Sequence, residues 1–267
     1  MKNREIFQRD PVVSKLLNDG VASLTEPYTP EEIKTLRYEL EHFVCEGQYK
    51  DGMIRILESY LDNVNSTSQP AVWVSGFYGS GKSHLLKMLR HLWVNTKFDS
   101  DGATARGLAR LPIEVTDLLV ELDILGKKCG GPHAAGGALP SGGDKSVRLT
   151  ILDVIFRSKG LPESLPQAQF CLWLQNNGIY SQVKNSVEKS GKSFLEELRH
   201  LYVSPVLGQA ILEADPNFAP RLKEVRATIR MQFPDVSDIT TTEFIHIIRD
   251  VLSVKGELPC TIIVLDE

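Results

Sequence analysis

One segment of eight residues, Gly76–Ser83, restricts the possible folds of this chain more than any other. Its sequence, GFYGSGKS, spaces three glycines so that the backbone can turn tightly and bring several N–H groups close to a polyanion. Lys82 would place an ammonium against the β- and γ-phosphates of a nucleotide, and the Ser83 hydroxyl would bind Mg²⁺. The pattern G-x-x-x-x-G-K-S therefore predicts a phosphate-binding loop. The alternative is a glycine-rich turn with an incidental lysine.

The residues on either side of the loop fit this interpretation. Ala71–Ser75 is a short apolar run between Pro70 and Gly76, which is typical of a buried parallel strand. After the loop, apolar residues recur at helical spacing, at Leu85, Leu86, Met88, Leu89, Leu92 and Trp93. Such a helix would direct its positive N-terminal end at the bound phosphates. Strand, loop and helix thus follow one another in the order that nucleotide binding requires.

The predicted nucleotide-binding residues form one continuous segment. They are Gly76, Phe77, Tyr78, Gly79, Ser80, Gly81, Lys82, Ser83 and His84. Phe77 and Tyr78 have no fixed chemical duty in such a loop; they could shield the phosphates, meet a neighbouring subunit, or pack the loop onto its own domain. His84 could contact the nucleotide or be an ordinary first-turn histidine with satisfied hydrogen bonds.

The last residues predict a second part of the same site. Cys260–Leu265 is apolar without alternation, as expected for a central parallel strand that is covered on both faces. Asp266 would hold Mg²⁺ together with Ser83, and Glu267 would activate the attacking water. The predicted catalytic residues are therefore Lys82 and Glu267. The alternative is an edge turn with two solvated acids.

Composition narrows the function only slightly. The chain has 30 Lys and Arg residues against 34 Asp and Glu, a net charge of −4, so nothing requires a nucleic-acid or membrane partner. The N-terminus lacks the apolar region of a secretory signal, and no apolar run has the length of a membrane span. No histidine or cysteine spacing suits a metal. We expect a cytoplasmic protein with reduced, mostly buried thiols at Cys45, Cys129, Cys171 and Cys260.

The pattern along the chain predicts four segments. Residues 1–65 would hold a lead-in and helices that pack on the nucleotide core, and residues 66–150 the first part of that core. Residues 151–239 are nearly all helical in pattern and predict an insertion, because a minimal core needs only a few strand–helix units between the two parts of the site. Residues 240–267 would return to the core with a helix and the final strand. Gly126–Gly143 lacks periodicity and could be a surface loop or an irregular strand.

Two local signals mark helix starts. Thr29–Glu32 and Thr240–Glu243 both have the Thr-x-x-Glu spacing of a capping box, in which each side chain satisfies a backbone N–H at the helix terminus. The first box also has Pro30 at the first helical position. The helix after Thr240 has apolar residues on more than one stripe, so we expect it to be buried.

Three stretches together resemble one known family: Phe7–Pro11, Val72–His84 and Ile263–Glu267. They are similar to the N-terminal part of the BrxC/PglY proteins, the large P-loop ATPases of bacterial BREX phage-exclusion systems. Val72–His84 is the most specific of the three. The resemblance implies an α/β fold of the AAA+-like, ORC/Cdc6-related P-loop NTPase type, with a parallel-sheet core and a large helical insertion. It covers this whole chain but only a fraction of a family member, so we expect the sensor, arginine-finger and lid residues after Glu267.

The loop and the resemblance together predict a Mg²⁺-dependent ATPase that acts in phage restriction with other BREX components. Its cofactors would be ATP and Mg²⁺, and we expect the segment alone to hydrolyse weakly or not at all. A homo-oligomer and DNA binding are both compatible with the sequence. A basic helix face could touch DNA phosphates, reach a neighbouring active site or simply be solvated; it comprises Lys223, Arg226 and Arg230. The alternative function is a nucleotide-controlled scaffold with little hydrolysis.

Overall fold

The computed structural model describes residues 22–24, 29–139 and 146–266. In this part of the chain, twelve helices accompany a parallel sheet of two strands, so the fold is mixed α/β. The chain divides into two compact units, Met1–Ala138 with Val254–Glu267, and Leu139–Ser253. The four-segment division drawn from the sequence stays a prediction. Phe7–Pro11 and Glu267, which contribute to the family resemblance, lie outside the described residues.

The first unit contains five helices and both strands of the described sheet. In chain order these are α1 (Pro30–Glu41), α2 (Gln48–Asn63), α3 (Lys82–Trp93), α4 (Ala105–Leu108), α5 (Ile113–Gly126), β1 (Pro132–Ala138) and β2 (Cys260–Asp266). The capping box predicted at Thr29 is confirmed: the Thr29 hydroxyl accepts from the Glu32 N–H, and the Glu32 carboxylate accepts from the Thr29 N–H. Gly47, at φ +52°, precedes the first residue of α2.

The sheet pairs β1 with β2 in parallel, from Pro132 opposite Cys260 to Ala138 opposite Asp266. Of the two interpretations of Gly126–Gly143, the strand is therefore confirmed for residues 132–138, whereas residues 140–145 lie outside the described part. The strand lacked an apolar signal because it is built from small residues. A Cβ on Gly136 would lie only 2.9 Å from the Arg90 Cδ, so glycine permits the close approach of α3.

Two features of the predicted core are different in the structure. Ala71–Ser75 is not a buried strand: it pairs with neither β1 nor β2, and Trp73 is 86% exposed. β2 is not central in the described sheet, because only β1 flanks it, and Ile263 is 37% exposed. A strand is held by ladder hydrogen bonds to a neighbour and by packing on its face. The described residues offer Ala71–Ser75 no such ladder, and its apolar character alone is not sufficient to bury it.

The core of the first unit forms around α3. Met88, Leu89, Leu92 and Trp93 of this helix are almost completely buried, together with apolar residues of α1, α2 and α5. The Trp93 Nε1–H donates to the Cys260 carbonyl oxygen at 2.9 Å, and the Trp93 ring meets Tyr60 edge to face. A buried indole needs a partner for its N–H, so this bond ties the last turn of α3 to the start of β2.

Charged residues of α3 are buried as well, each with a partner. Lys87 forms a 2.6 Å ion pair with Glu39 of α1, and both side chains are nearly inaccessible. Arg90 donates to the Leu24 carbonyl oxygen. The periodicity of the apolar residues in this helix gives no sign that Lys87 and Arg90 are buried. Removing one member of such a buried pair costs about 3–5 kcal/mol, because the other charge is left uncompensated.

The second unit is helical throughout its described residues. Its helices are α6 (Val147–Ser158), α7 (Leu165–Asn176), α8 (Tyr180–Lys189), α9 (Phe194–Arg199), α10 (Pro205–Ala214), α11 (Leu222–Gln232) and α12 (Thr241–Leu252). These helices agree with the nearly all-helical pattern predicted for residues 151–239. The capping box at Thr240 is confirmed, but α12 is only partly buried, with Ile245 48% exposed. A core cluster of this unit includes buried side chains of α7, α8, α10 and α11, among them Phe170, Leu174, Val183, Leu207, Ile211, Val225 and Ile229.

His91 makes the stability of the first unit dependent on pH. Burial, reinforced by the nearby Arg90 and Lys87 charges, lowers the pKa of His91 from 6.5 to about 3. Its Nδ1 contacts the Thr96 hydroxyl, and its Nε2 has no hydrogen-bond partner in the described part of the chain. Between pH 6.5 and 3 the unfolded chain therefore binds a proton that the folded chain does not, so the free energy of unfolding decreases as the pH falls through this range.

We expect His91→Asn to weaken this acid sensitivity, because asparagine can keep the contact to Thr96 without titrating. Between pH 7.5 and 5 the free energy of unfolding should fall by about 2 kcal/mol less in the variant than in the wild type. Urea titrations at the two pH values measure this difference. His200→Asn, at an exposed histidine, should behave as wild type. Equal pH dependence in wild type and His91→Asn would contradict the assignment.

Candidate functional site

The predicted phosphate-binding loop lies between α2 and α3. After residues 71–77, which belong to no helix or strand, the chain turns at Tyr78 and Gly79 and enters α3 at Lys82. Gly79 has φ +75° and Gly81 has φ +79°, in the left-handed region that favours glycine. The Ser80 N–H donates to the Phe77 carbonyl oxygen at 3.1 Å and closes the turn. Two of the three glycines thus occupy positions where the backbone requires them.

The first turn of α3 leaves its N-terminal amides available. Gly81 is the residue before the helix and has no side chain to cap it, and the first turn contains no acidic residue. The first hydrogen bond into the helix runs from the Leu85 N–H to the Gly81 carbonyl oxygen. The N–H groups of Lys82, Ser83 and His84 therefore precede the helical ladder and carry the positive end of the helix dipole. Such a terminus binds anions.

The Lys82 side chain folds back over the loop. Its ammonium donates to the carbonyl oxygens of Gly76, at 3.1 Å, and Phe77, at 3.0 Å. These two bonds hold the positive charge at the mouth of the loop, beside the free amides of the helix. Each involves a neutral carbonyl, whereas a phosphate oxygen would give a stronger, charge-assisted bond. The Lys82 ammonium could therefore exchange its two carbonyl partners for an anion at low cost.

Tyr49 of α2 is a loop contact that the sequence did not reveal. Its hydroxyl donates to the Ser80 carbonyl oxygen at 2.8 Å, and its ring meets Phe43 edge to face. The hydroxyl also occupies the space where a side chain on Gly81 would begin. Tyr49 is 31 positions from Ser80, and no local pattern relates the two, so only the packing of α2 beside the loop could show this contact.

His84 packs into the first unit. Its ring lies 5.8 Å from that of Phe43. Burial lowers the pKa of His84, the Lys87 charge lowers it further, and Glu39 acts in the opposite direction. The imidazole is therefore mainly neutral at physiological pH. This environment favours the structural role for His84, although the first-turn amide of the same residue still lies at the helix terminus.

The aromatic residues of the loop do not pack onto the first unit. Phe77 is 90% exposed and Tyr78 is fully exposed. Of the three interpretations of these residues, packing of the loop onto its own domain is wrong for this structure. Together with Trp73 and Val72, they leave several large apolar side chains in solvent around the loop.

The direction of α3 brings the two predicted parts of the site toward one edge of the sheet. Trp93, in its last turn, bonds to Cys260 at the start of β2. Arg90, one turn earlier, lies against Gly136, which is the register partner of Val264 near the end of β2. The helix therefore runs antiparallel to the strands. Its N-terminus, with the loop, points to the end of the sheet where β2 reaches Asp266.

The acidic residues of the predicted Mg²⁺ site are only partly described. Asp266 is the last residue of β2 and is half-buried, whereas Glu267 lies outside the described residues. The described residues contain no group of three or more His, Cys, Asp or Glu side chains that could hold a metal. Mg²⁺ at nucleotide sites needs only one or two protein ligands, because phosphates and waters supply the others. The Mg²⁺ site at Ser83 and Asp266 therefore stays a prediction.

Comparison with known proteins leaves the family resemblance untested. No family model matches this chain, and no solved structure matches it. Among the described helices, none is both long and apolar enough to cross a membrane. Lys223, Arg226 and Arg230 are all exposed on α11, and Arg230 stacks over the Tyr202 ring of the same unit.

The two left-handed glycines of the loop provide a matched test of the Tyr49 contact. Gly79→Ala should cost about 1 kcal/mol of the free energy of unfolding, because it forces alanine to a positive φ where no atom lies nearby. Gly81→Ala carries the same backbone cost and also displaces the Tyr49 hydroxyl from Ser80, for about 1 kcal/mol more. In a Tyr49→Phe background the two substitutions should cost the same. Urea unfolding measures all six proteins (the wild type, the three single variants and the two double variants), and equal costs in the wild-type background would contradict the contact.

Proposed function

We propose that this chain binds ATP with Mg²⁺ at the Gly76–Ser83 loop and forms the nucleotide-binding part of a BREX-type ATPase. One observation carries the proposal: a glycine turn with a lysine ammonium and uncapped amides begins α3, and the direction of α3 points this end toward Asp266 of β2. An anion-binding helix terminus near a strand-end carboxylate is what a Mg²⁺–nucleotide requires.

Each residue of the proposed site would have its own role in binding or hydrolysis. The amides at Lys82, Ser83 and His84 bind phosphate oxygens, while the Lys82 ammonium exchanges its two carbonyl partners for the β- and γ-phosphates. Ser83 and Asp266 would hold the Mg²⁺ that accompanies the nucleotide, which would supply charge neutralisation at the phosphates. Glu267 accepts the proton of the attacking water. Tyr49 holds the Ser80 carbonyl, so the loop keeps its curvature before the nucleotide binds.

The fold that we propose for the whole catalytic domain is an AAA+-like P-loop NTPase with a larger parallel sheet. Two observations support it: β1 and β2 are parallel, as in such sheets, and β2 has an edge that no other described strand covers. The helical residues between the two parts of the site would then be an insertion into this core. Action in phage restriction alongside other BREX components rests on the family resemblance.

A nucleotide-controlled scaffold is the second candidate, and the exposed aromatic residues favour it. Trp73, Phe77 and Tyr78 surround the loop and are largely in solvent. Monomeric proteins seldom expose large apolar side chains together, and such patches mark interaction sites. A partner that covered them would sense directly whether the loop holds a nucleotide.

Removal of the Lys82 ammonium tests nucleotide binding. We expect Lys82→Ala to weaken ATP binding by a factor of at least about 30, corresponding to about 2 kcal/mol, because it removes a side-chain charge that is held at the loop. Lys34→Ala, on the exposed face of α1 in the same unit, is the control and should bind as wild type. Calorimetry with ATP and Mg²⁺ measures both. Equal affinity in the two variants, or no binding by the wild type, would overturn the proposal.

Glu267→Gln separates the ATPase from the scaffold. In the longer protein that the resemblance implies, an ATPase should keep its ATP affinity in this variant and lose turnover by a factor of about 100 or more, because glutamine cannot accept the proton. Steady-state phosphate release and ATP-dependent oligomer size, measured with and without DNA, report the two functions. Normal turnover of Glu267→Gln would remove Glu267 from the mechanism. Assembly with ATP but negligible turnover in the wild type would favour the scaffold.

A further inference from the structure

Two cysteines of the first unit meet beside the sheet. The Sγ atoms of Cys129 and Cys260 are 3.1 Å apart, although the residues are 131 positions apart in the sequence. Cys129 lies in the turn that leads from α5 into β1, and Cys260 is the first residue of β2. The Cys260 N–H donates to the Gly131 carbonyl oxygen at 2.9 Å. The start of the parallel ladder therefore holds the two thiols together.

The two thiols differ in access. Cys129 is half-buried, and its thiol also contacts the Leu125 carbonyl oxygen, whereas Cys260 is only 2% exposed. The remaining cysteines make no such pair. Cys45 is buried with its Sγ 3.9 Å from the Met53 Sδ, and Cys171 is buried in the core of the second unit.

We propose that Cys129 and Cys260 are a redox modification site, which a peroxide oxidises to an intramolecular disulfide and a dithiol reduces again. The more accessible Cys129 thiolate attacks one peroxide oxygen, which gives a sulfenic acid at Cys129 and releases the other oxygen as water. The Cys260 sulfur then attacks the Cys129 sulfur, the S–S bond forms, and the sulfenic oxygen leaves as a second water. Two thiols are thereby oxidised by two electrons, and one peroxide is reduced to two waters.

The surroundings of the pair assign the order of these steps. Burial, reinforced by the contact with Cys129, raises the pKa of Cys260 to about 12, although a hydrogen bond with the Tyr60 hydroxyl acts in the opposite direction. Cys260 thus remains a thiol at neutral pH and is a poor first nucleophile, since the thiolate is the reactive form. Its proximity to Cys129 suits it to the second step. Deeply buried single thiols such as Cys45 and Cys171 have no partner sulfur for this reaction.

The bond would stabilise the fold because it connects parts that are distant along the chain. It would join the turn before β1 to the first residue of β2, and the closed loop would contain all of Leu139–Ser253. Crosslinks that close long loops remove much entropy from the unfolded chain. We therefore expect the oxidised form to unfold at a temperature about 5–10 °C higher than the reduced form. The proposal does not depend on nucleotide binding.

The test is oxidation of the intact 267-residue chain with hydrogen peroxide, followed by denaturation, alkylation and mass spectrometry. We expect two alkylated cysteines instead of four, one crosslinked peptide that joins Cys129 to Cys260, and reversal of both the crosslink and the higher melting temperature by a dithiol reductant. Cys45→Ser and Cys171→Ser should still form the crosslink, and Cys129→Ser should not.

Three outcomes would overturn the proposal. They are four free thiols after oxidation, a crosslink that involves Cys45 or Cys171 or a second chain, and a sulfinic acid at Cys129 without any disulfide. The peptide map of the wild-type protein decides between these outcomes even if Cys260→Ser fails to fold. ATP binding by the same preparation is measured separately, so that a failure of the nucleotide proposal leaves this result unaffected.

Discussion

The packing of α3 against the two parallel strands is the interaction on which the first unit depends. Trp93 anchors the last turn of the helix to the Cys260 carbonyl, and Gly136 lets Arg90 lie directly against β1. These two contacts lie four residues apart in the register of the strands, since Gly136 is the partner of Val264, so they determine both the position and the direction of the helix. The direction in turn decides where the loop at the other end of α3 opens. A helix with the same apolar residues but the opposite direction would carry the loop away from Asp266.

Buried charge reinforces this arrangement. Ion pairs inside a protein add little net stability compared with apolar residues, but a single misplaced partner is costly. The Lys87–Glu39 pair thus penalises any rotation of α3 relative to α1, and Arg106 acts similarly by donating to the carbonyls of Leu92 and Trp93 and to Asp123. Such contacts hold the helix in one orientation. A stripe of leucines alone would allow the helix to rotate, because apolar packing is less directional than these bonds.

The loop itself combines a rigid base with an open mouth. Two positive-φ glycines, the Ser80–Phe77 hydrogen bond and the Tyr49 hydroxyl define its curvature. At the mouth, the Lys82 ammonium bonds only to neutral carbonyl oxygens. The amides of the first turn have no partner in the helical ladder. Neutral His84 beneath them adds no competing charge at physiological pH. With a positive charge at its mouth and amides that lack helical partners, the loop has the electrostatics that would let a polyanion replace the carbonyl partners of Lys82.

Local sequence signals predicted those features of the structure that depend on residues close together in the chain, namely turns, helix caps and helices. Glycine and lysine spacing predicted the turn at residues 78–81 and the start of α3, and Thr-x-x-Glu spacing predicted the beginnings of α1 and α12. The residue pattern also predicted that residues 151–239 are nearly all helical. All of these features arise from backbone conformation or from hydrogen bonds within one turn, so a short window of sequence contains the information.

Only the tertiary structure decided which segments meet. Strand β1 has small residues and no periodicity, and it is a strand because β2 pairs with it; Ala71–Ser75 has a strand-like sequence but pairs with neither of them. The Tyr49 contact with the loop and the Cys129–Cys260 pair also connect residues far apart in the chain. The sequence by itself thus determined the loop, the caps and the helices, whereas pairing, burial of Lys87 and Arg90, and the direction of α3 came from the fold. The physical reason is that these contacts exist only once distant segments share one core.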